Sequence, residues 1–484
     1  MKKTSIKINF IMNALLTMSS FIFPLITFPY VSRILSPEGT GKVSFANSVI
    51  AYFALFAQLG IPTYGIRACA KVRDNKEELS RTVQEIFIIN MVMTVITYIA
   101  FGITLVYVPR LQTERPLFLI MSTTLLFNAV GLDWLYRGLE KYTYITVRSL
   151  LFKFIALLAM FALIHQKSDY VIYGGISIFA SSASNICNLV NVHQYIQIRP
   201  VGKYQFWRHL KPVMIFFAMS CATTIYTNLD TVMLGFIKTD IDVGYYNAAV
   251  KIKSVLLGIV TSLGTVLLPR ASYYIEHHEM EEFRRITKKA INFVFLIAVP
   301  LTCYFILYAK EGILFLSGNE YMPAVLPMQI IMPTIIFIGL TNIMGIQMLV
   351  PMGLEKVVLY SEIAGAIVDL ILNTLLIPRL VSVGAAIGTL VAECVVWIVQ
   401  FAALRKEVTP AYRNVYYGKV VLATVIGVAS SGWVKTLEMG NFATLLMSAV
   451  LFFGGYAIVL TVLKEPLVWE IENQVFTKVK GMIK

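Results

Sequence analysis

The chain has 484 residues, of which 57% are hydrophobic and only 14% charged, and its mean hydropathy is +0.73. Soluble domains of this length are far less apolar, so composition excludes a water-soluble enzyme or binding module and places the chain in a membrane. The net charge of +14 would indicate nucleic acid in a soluble protein; here its distribution between loops carries topology, and no nucleic-acid partner is expected.

The N-terminal stretch MKKTSIKINFIMNALLTMSSFIFPLITFPY has the basic start and apolar run of a secretory signal. The run is long, contains Pro24 and Pro29 and lacks a small-residue cleavage site, so it reads as a first span. A helix needs about 20 mostly apolar residues to cross the hydrocarbon. That length predicts fourteen spans, at 10–30, 43–65, 83–108, 116–133, 149–165, 170–192, 212–236, 245–268, 290–309, 327–350, 358–377, 383–403, 417–434 and 442–463.

Basic residues alternate between the two sets of connections. One set carries Lys2, Lys3 and Lys7, then Arg67 to Arg81, Arg137 to Arg148, Arg199 to Lys211, Arg270 to Lys289, Lys356, Arg405 to Lys419 and a basic tail. The other set holds few cations, among them Lys42, Arg110, Lys238 and Lys435. Both termini are therefore expected in the cytoplasm, with an even number of spans, because one missed helix would invert every later loop. No connection is long enough for a separate soluble domain. Cys69, Cys187, Cys221, Cys303 and Cys394 lie far apart and read as small apolar residues rather than metal or redox pairs.

Gly-Leu-Glu-Lys occurs at 138–141 and again at 353–356, after the fourth and tenth spans, the same place in two groups of six. Spans two and eight both open on Gly, in GKVSFANSV and GYYNAAV, and spans six and twelve both open on Gly and small residues. Six spans return the chain to its starting side, so the halves read as parallel repeats. The expected organisation is an N-lobe at 1–200, a C-lobe at 201–406, and two further helices with the basic tail at 407–484. The competing reading is that small residues at helix starts serve only close packing.

Polar side chains fall on helical faces in three spans. Span one carries Asn9, Asn13, Thr17 and Ser20; span six Ser177, Ser181, Ser184, Asn188 and Asn191; span seven Ser220, Thr224, Thr227 and Thr231, with Asn228 and Asp230 nearby. Such stripes either let helices approach or line a water-filled cavity. Lining is favoured for spans one and seven, and the two readings stand level for span six. Ionisable groups inside spans need partners or water; these are Glu85, Lys153, Asp230, Lys251, Lys253, Glu362, Asp369 and Glu393, with Arg33, Arg67, Asp133 and Arg148 near span ends. Asp133 and Arg67 read either as solvated interfacial charges or as parts of a gating salt bridge. EHHEMEEFRR, 276–285, reads as a solvated helix face, not a metal site. No phosphate loop or nucleophile motif occurs, so neither catalysis nor a cofactor is expected.

GLDWLYRGLEKYTYITVRS after span four, LSGNEYMPAVLPMQI before span ten and NTLLIPRLVSVGAAIGTLVAE across spans eleven and twelve resemble the polysaccharide-biosynthesis flippases. These are the O-antigen and capsule repeat-unit exporters of the multidrug/oligosaccharidyl-lipid/polysaccharide superfamily. The resemblance runs from PYVSRILSPEGTGKVSFA to span twelve. It implies an all-α polytopic membrane fold of about 14 transmembrane helices, with two six-helix lobes around a central cavity. It also implies an undecaprenyl-diphosphate-linked oligosaccharide as cargo, moved by alternating access without ATP hydrolysis. In the related lipid II flippases a functional arginine on helix eight precedes an apolar run ending in Leu-Leu-Pro; here Lys251, ahead of SVLLGIVTSLGTVLLPR, sits comparably. The cavity arginines of their helices one and two have no counterpart between Phe10 and Tyr30 or between Val43 and Tyr64, which favours another glycan.

The expectation is thus a plasma-membrane flippase in which Lys251, with Lys153 and Arg148, meets the diphosphate. The sugars would meet Asn13, Thr17, Thr224, Thr227 and Asn228, while Asp133, Asp230, Glu85 and Arg67 gate or couple to an ion. The competing reading for Lys251 is that it and Lys253 snorkel to the nearer surface. The drive would be the membrane potential or a proton or sodium gradient, and the partners membrane lipids, a polysaccharide polymerase and other assembly proteins. The rivals are a multidrug exporter of the same fold and a membrane-embedded glycan polymerase.

Overall fold

The computed structural model describes residues 6–413, 415–470 and 472–473. Lys2, Lys3 and most of the basic tail, which entered the loop-charge reading, lie outside them. The described residues are mostly helical, with no strand among them. They form two compact units, Met1–Asn247 and Ala248–Lys484.

In the first unit α1 (Ile6–Gln58) holds the first two expected spans and breaks at Ser36, whose φ is 61°. Pro37 explains the place of the break, since a residue before proline is pushed out of the helical region. Gly60, also left-handed, starts α2 (Ile61–Val72), with proline in its first turn. Next come α3 (Lys76–Tyr107), α4 (Pro109–Gln112), α5 (Arg115–Val130), α6 (Asp133–Gly138) and α7 (Tyr142–Leu163). Asn75 caps α3 by accepting from the Glu77 and Glu78 amides at 3.1 and 3.2 Å, and both glutamates suit the positive helix end. Between α7 and α8 (Tyr170–Ile178) the Asp169 carboxylate accepts from the His165 and Gln166 amides, which hold it below the usual carboxylate range. A π-helical stretch, Phe179–Ala183, separates α8 from α9 (Asn185–Asn191). Then α10 (Trp207–Ile237) packs along α1 and α2 and so falls in this unit.

Burial in α3 is inverted relative to a soluble helix. Glu85, Asn90, Thr94 and Thr97 are buried, while Val92, Val95, Ile96, Ile99, Ile103 and Val106 face outward. That pattern fits a hydrocarbon solvent, which accepts aliphatic side chains and rejects polar groups. Packing inside the unit runs through Val31, Leu35, Met160 and Ile176 in one cluster, and Tyr64, Trp134, Tyr136 and Val213 in another.

Helix α11 (Asp240–Glu276) leads into the second unit. There α12 (Met280–Leu307), α13 (Ala309–Ser317), α14 (Val325–Ile331) and α15 (Thr334–Thr341) are followed by a second π-helical stretch, Asn342–Leu349. Spans eleven and twelve form α16 (Glu355–Ala403), broken at Val381 with φ 55°. The short α17 (Arg405–Arg413) precedes α18 (Tyr417–Gly432) and α19 (Asn441–Val462), which pack on each other and on α12. Nine helices among the described residues are long and apolar enough to cross a membrane, and a bent pair, Asn319–Ile331 with Thr334–Leu349, makes ten. Two of the nine hold two expected spans each, and the spans at 170–192 and 245–268 are helical as well, so fourteen crossings are consistent with the structure.

Candidate functional site

Lys153 lies midway along α7. Its ammonium donates to Ser19 Oγ at 2.8 Å and Ser20 Oγ at 3.1 Å on α1, and no carboxylate pairs with it among the described residues. Asn13 and Thr17 lie on the same helix, exposed, with Thr17 Oγ1 donating to the Asn13 carbonyl at 2.9 Å. Of the two hydroxyls next to Lys153, Ser20 belongs to the polar stripe read in span one and Ser19 does not.

Arg148, five residues before Lys153 on α7, is buried and heavily bonded. It donates to Asp133 Oδ1 at 2.8 Å and to Ser184 and Asn185, each at 3.2 Å. The other Asp133 oxygen accepts from Arg137 at 2.6 Å. One carboxylate is shared by two guanidiniums, leaving the trio with one net positive charge. Arg67 stands exposed on α2, with no ion pair among the described residues.

Glu85 is fully buried and accepts four donors. These are the Gln205 amide at 2.6 Å, Arg208 Nε at 2.9 Å and Nη2 at 2.6 Å, and His209 Nε2 at 2.6 Å. Since a carboxylate only accepts, His209 carries its proton on Nε2, and its Nδ1 accepts from the Tyr64 hydroxyl at 2.6 Å. Gln84 beside it holds the carbonyls of Gln197 and Arg199, so the link before α10 is tied to α3. Sequence reasoning marked Glu85 as needing a partner but did not find Arg208, His209 or Tyr64. An arginine-histidine pair just before span seven was the available signal.

On α10, Thr227 is exposed and donates to the Thr223 carbonyl, while Asn228 donates to the Thr224 carbonyl at 3.0 Å. Asp230 is buried and accepts from the Tyr246 hydroxyl. In the second unit Lys251 is half-buried on α11 and makes no hydrogen bond or ion pair among the described residues. Ser361, Asp369 and Asn373 share one buried face of α16; Thr389, Glu393 and Gln400 are buried after its break, and Gln400 donates to Ser361 at 3.0 Å.

Polar groups turned inward on helices with aliphatic outer faces, with Lys153 and Lys251 inside spans and without an acid among the described residues, define a polytopic membrane protein. The fold is similar to that of a solved lipid II flippase, MurJ, in an inward closed conformation: the TM-score is 0.74 at 13% identity, covering 95% of this chain and 100% of that one. Residues 6–275 match the model of the family described as polysaccharide biosynthesis protein, and residues 216–375 match MatE. A putative O-antigen transporter of Escherichia coli (strain K12) is 28% identical over 396 residues, 81% of this chain and 95% of the relative. A putative O-antigen transporter of Shigella dysenteriae is 25% identical over 390 residues, 80% of this chain and 97% of the relative. The chain belongs to the polysaccharide biosynthesis protein family.

Proposed function

We propose that this protein carries an undecaprenyl-diphosphate-linked oligosaccharide, a capsule, exopolysaccharide or O-antigen unit, across a bacterial plasma membrane by alternating access, with both termini in the cytoplasm. The observation that carries the reading is Lys153. A lysine at the centre of a span costs about 2.5–3.5 kcal/mol on insertion scales, and two neutral hydroxyls leave its charge uncompensated. An arriving diphosphate supplies the missing counter-charge through charge-assisted hydrogen bonds. Lys251, equally without an acid, is the second cation assigned to it, and Arg148 the third.

Asn13 and Thr17 on α1 and Thr224, Thr227 and Asn228 on α10 offer the hydroxyls and amides that sugars hydrogen-bond. The polyprenyl tail stays in lipid, so only the headgroup needs a wet path, which avoids the cost of burying its polar groups in hydrocarbon. No bond is made or broken, and neither a cofactor nor a metal takes part. Moving net charge couples the cycle to the membrane potential at about 2.3 kcal/mol per charge per 100 mV, or to a proton or sodium gradient. Gating falls to Asp133, Glu85, Asp230 and Arg67: an anion that engages Arg148 competes with Asp133 for it. The polymerase that extends the glycan would act on the delivered unit.

The test is reconstitution in vesicles loaded with the lipid-linked oligosaccharide, scoring its exposure to an added lectin. Lys153→Gln should slow exposure at least about tenfold, the order of one lost charge-assisted contact, while Lys153→Arg keeps most of it. Full activity of Lys153→Gln sinks the reading. The MatE match over residues 216–375 and the buried acids Asp369 and Glu393 favour drug export as the second reading. It predicts that expression raises resistance to cationic drugs and that no glycan reaches the lectin.

A further inference from the structure

The second unit carries a further basic cluster on α17, outside the span interiors. This nine-residue helix bridges α16 and α18 and has two unlike faces. Val408 and Ala411 are buried, as are Leu404 before it and Val415 after it, and the helix packs on α12. The opposite face bears Arg405, Lys406, Thr409, Pro410 and Arg413, which line an open cavity of about 660 Å³. Residues 405, 409 and 413 follow one another at steps of four, so their side chains stack along one ridge.

Counter-charge decides what this cavity can hold. Nearby basic residues of the same unit are already engaged: Arg284 with Glu407 at 3.0 Å, Lys289 with Glu470 at 2.7 Å, and Lys419 with the carbonyls of Leu463 and Lys464. Glu407, the one carboxylate within α17, is thus taken by Arg284. Arg405, Lys406 and Arg413 have no ion pair among the described residues, so three positive charges converge on a hollow without an acid.

Its depth follows from the aromatic residues beside it. Trp397 donates to the Tyr412 hydroxyl at 3.1 Å, and Tyr416 and Tyr417 follow at the start of α18. Trp and Tyr gather at the boundary between headgroups and hydrocarbon. A helix with one apolar and one basic face lies in that plane.

We propose that the α17 cavity binds the headgroup phosphate of an anionic phospholipid from the adjoining leaflet. Arg405 and Arg413 present forked donors that match a phosphate, and Lys406 adds a point charge. The acyl chains remain in the leaflet, which a soluble anion cannot imitate. The site is formed by the second unit alone and does not depend on the cargo assigned above.

The experiment is native mass spectrometry of the full chain in detergent, offered phosphatidylglycerol or phosphatidylcholine. The wild type should retain phosphatidylglycerol preferentially, and R405Q/K406Q/R413Q should lose that retention by at least about tenfold, the order expected for three near-surface cations. K71Q/K76Q/K288Q, which removes as many cations from α2, α3 and α12, should retain it as the wild type does. Equal retention by R405Q/K406Q/R413Q, or equal loss in K71Q/K76Q/K288Q, overturns the proposal. Displacement of the lipid by millimolar inorganic phosphate overturns it too, since the ligand would then be a free anion. Should R405Q/K406Q/R413Q fold poorly, R405K/R413K keeps the charge and loses the forked donors; its retention should fall severalfold, and unchanged retention rejects the site.

Discussion

Gly41 and Gly244, the glycines that open the second and eighth spans, pack into each other's helix starts. A Cβ on Gly41 would lie 1.7 Å from the Asp240 carbonyl oxygen, and one on Gly244 would lie 2.1 Å from the Pro37 oxygen. The same end is tied by Lys42, which bridges Glu38 and Glu114 at 3.0 Å each, and by the ion pair of Arg110 with Asp240. Backbone meets backbone there, so nothing flexible can move aside. Gly244→Ala should therefore lower stability by about 1–3 kcal/mol, the usual cost of overpacking. Gly454→Ala, where a Cβ meets nothing within 4 Å, should not. Thermal unfolding in detergent compares them, and equal melting temperatures would show that the two helix starts part without cost.

The Glu85 cluster makes a second prediction. Glu85→Ala leaves Arg208 and His209 facing each other without their shared acceptor, in a site where the carboxylate was wholly buried. Breaking a buried pair in this way costs about 3–5 kcal/mol. Glu85→Ala combined with Arg208→Ala should recover part of that loss, because the stranded charge is gone. Expression yield and melting temperature read it out; a double variant worse than Glu85→Ala by the full effect of Arg208→Ala would mean the two residues are independent.

Asp133, Arg137 and Arg148 predict an asymmetry. If Arg148 is replaced by Gln, Asp133 keeps Arg137; if Asp133 is replaced by Asn, Arg148 loses its only carboxylate while it remains buried. Asp133→Asn should thus be the more damaging change, by about 1–2 kcal/mol, a fraction of the full buried-charge penalty because Asp133 itself is partly exposed. The opposite order in thermal melts would reject Asp133 as the counter-charge of Arg148.

Ser19 and Ser20 supply a fourth. Replacing both with Ala removes both hydrogen bonds to the Lys153 ammonium and keeps its charge. Transport in the vesicle assay should fall less than in Lys153→Gln, by roughly fivefold, the worth of about 1 kcal/mol of net hydrogen bonding. A loss equal to that of Lys153→Gln would indicate that the hydroxyls, not the cation, make the contact.

Hydropathy was enough to read most helices, because a span must be long and apolar whatever it packs against. The breaks at Ser36 and Val381 fall in the gaps left between expected spans, at 31–42 and 378–382. The partners of Glu85 were not legible: Arg208 and His209 lie more than 120 residues away, and no periodicity links them. Arg405, Lys406 and Arg413 were counted only as loop charges, since a helix of nine residues is too short to show an apolar face in a hydropathy window. The pairing of Lys153 with Ser19 and Ser20 was half visible, as a lone cation on one span and a polar stripe on another.

The wide turns at Phe179–Ala183 and Asn342–Leu349 give two spans a property that a plain α-helix lacks. Each holds a residue beyond the α repeat, and that surplus can migrate by exchanging one amide bond for the next, rotating one end of the span against the other without stranding a donor in oil. Deleting a single residue from such a turn should be tolerated by the fold yet halt turnover, whereas the same deletion in an unbroken span would twist everything beyond it by about 100°.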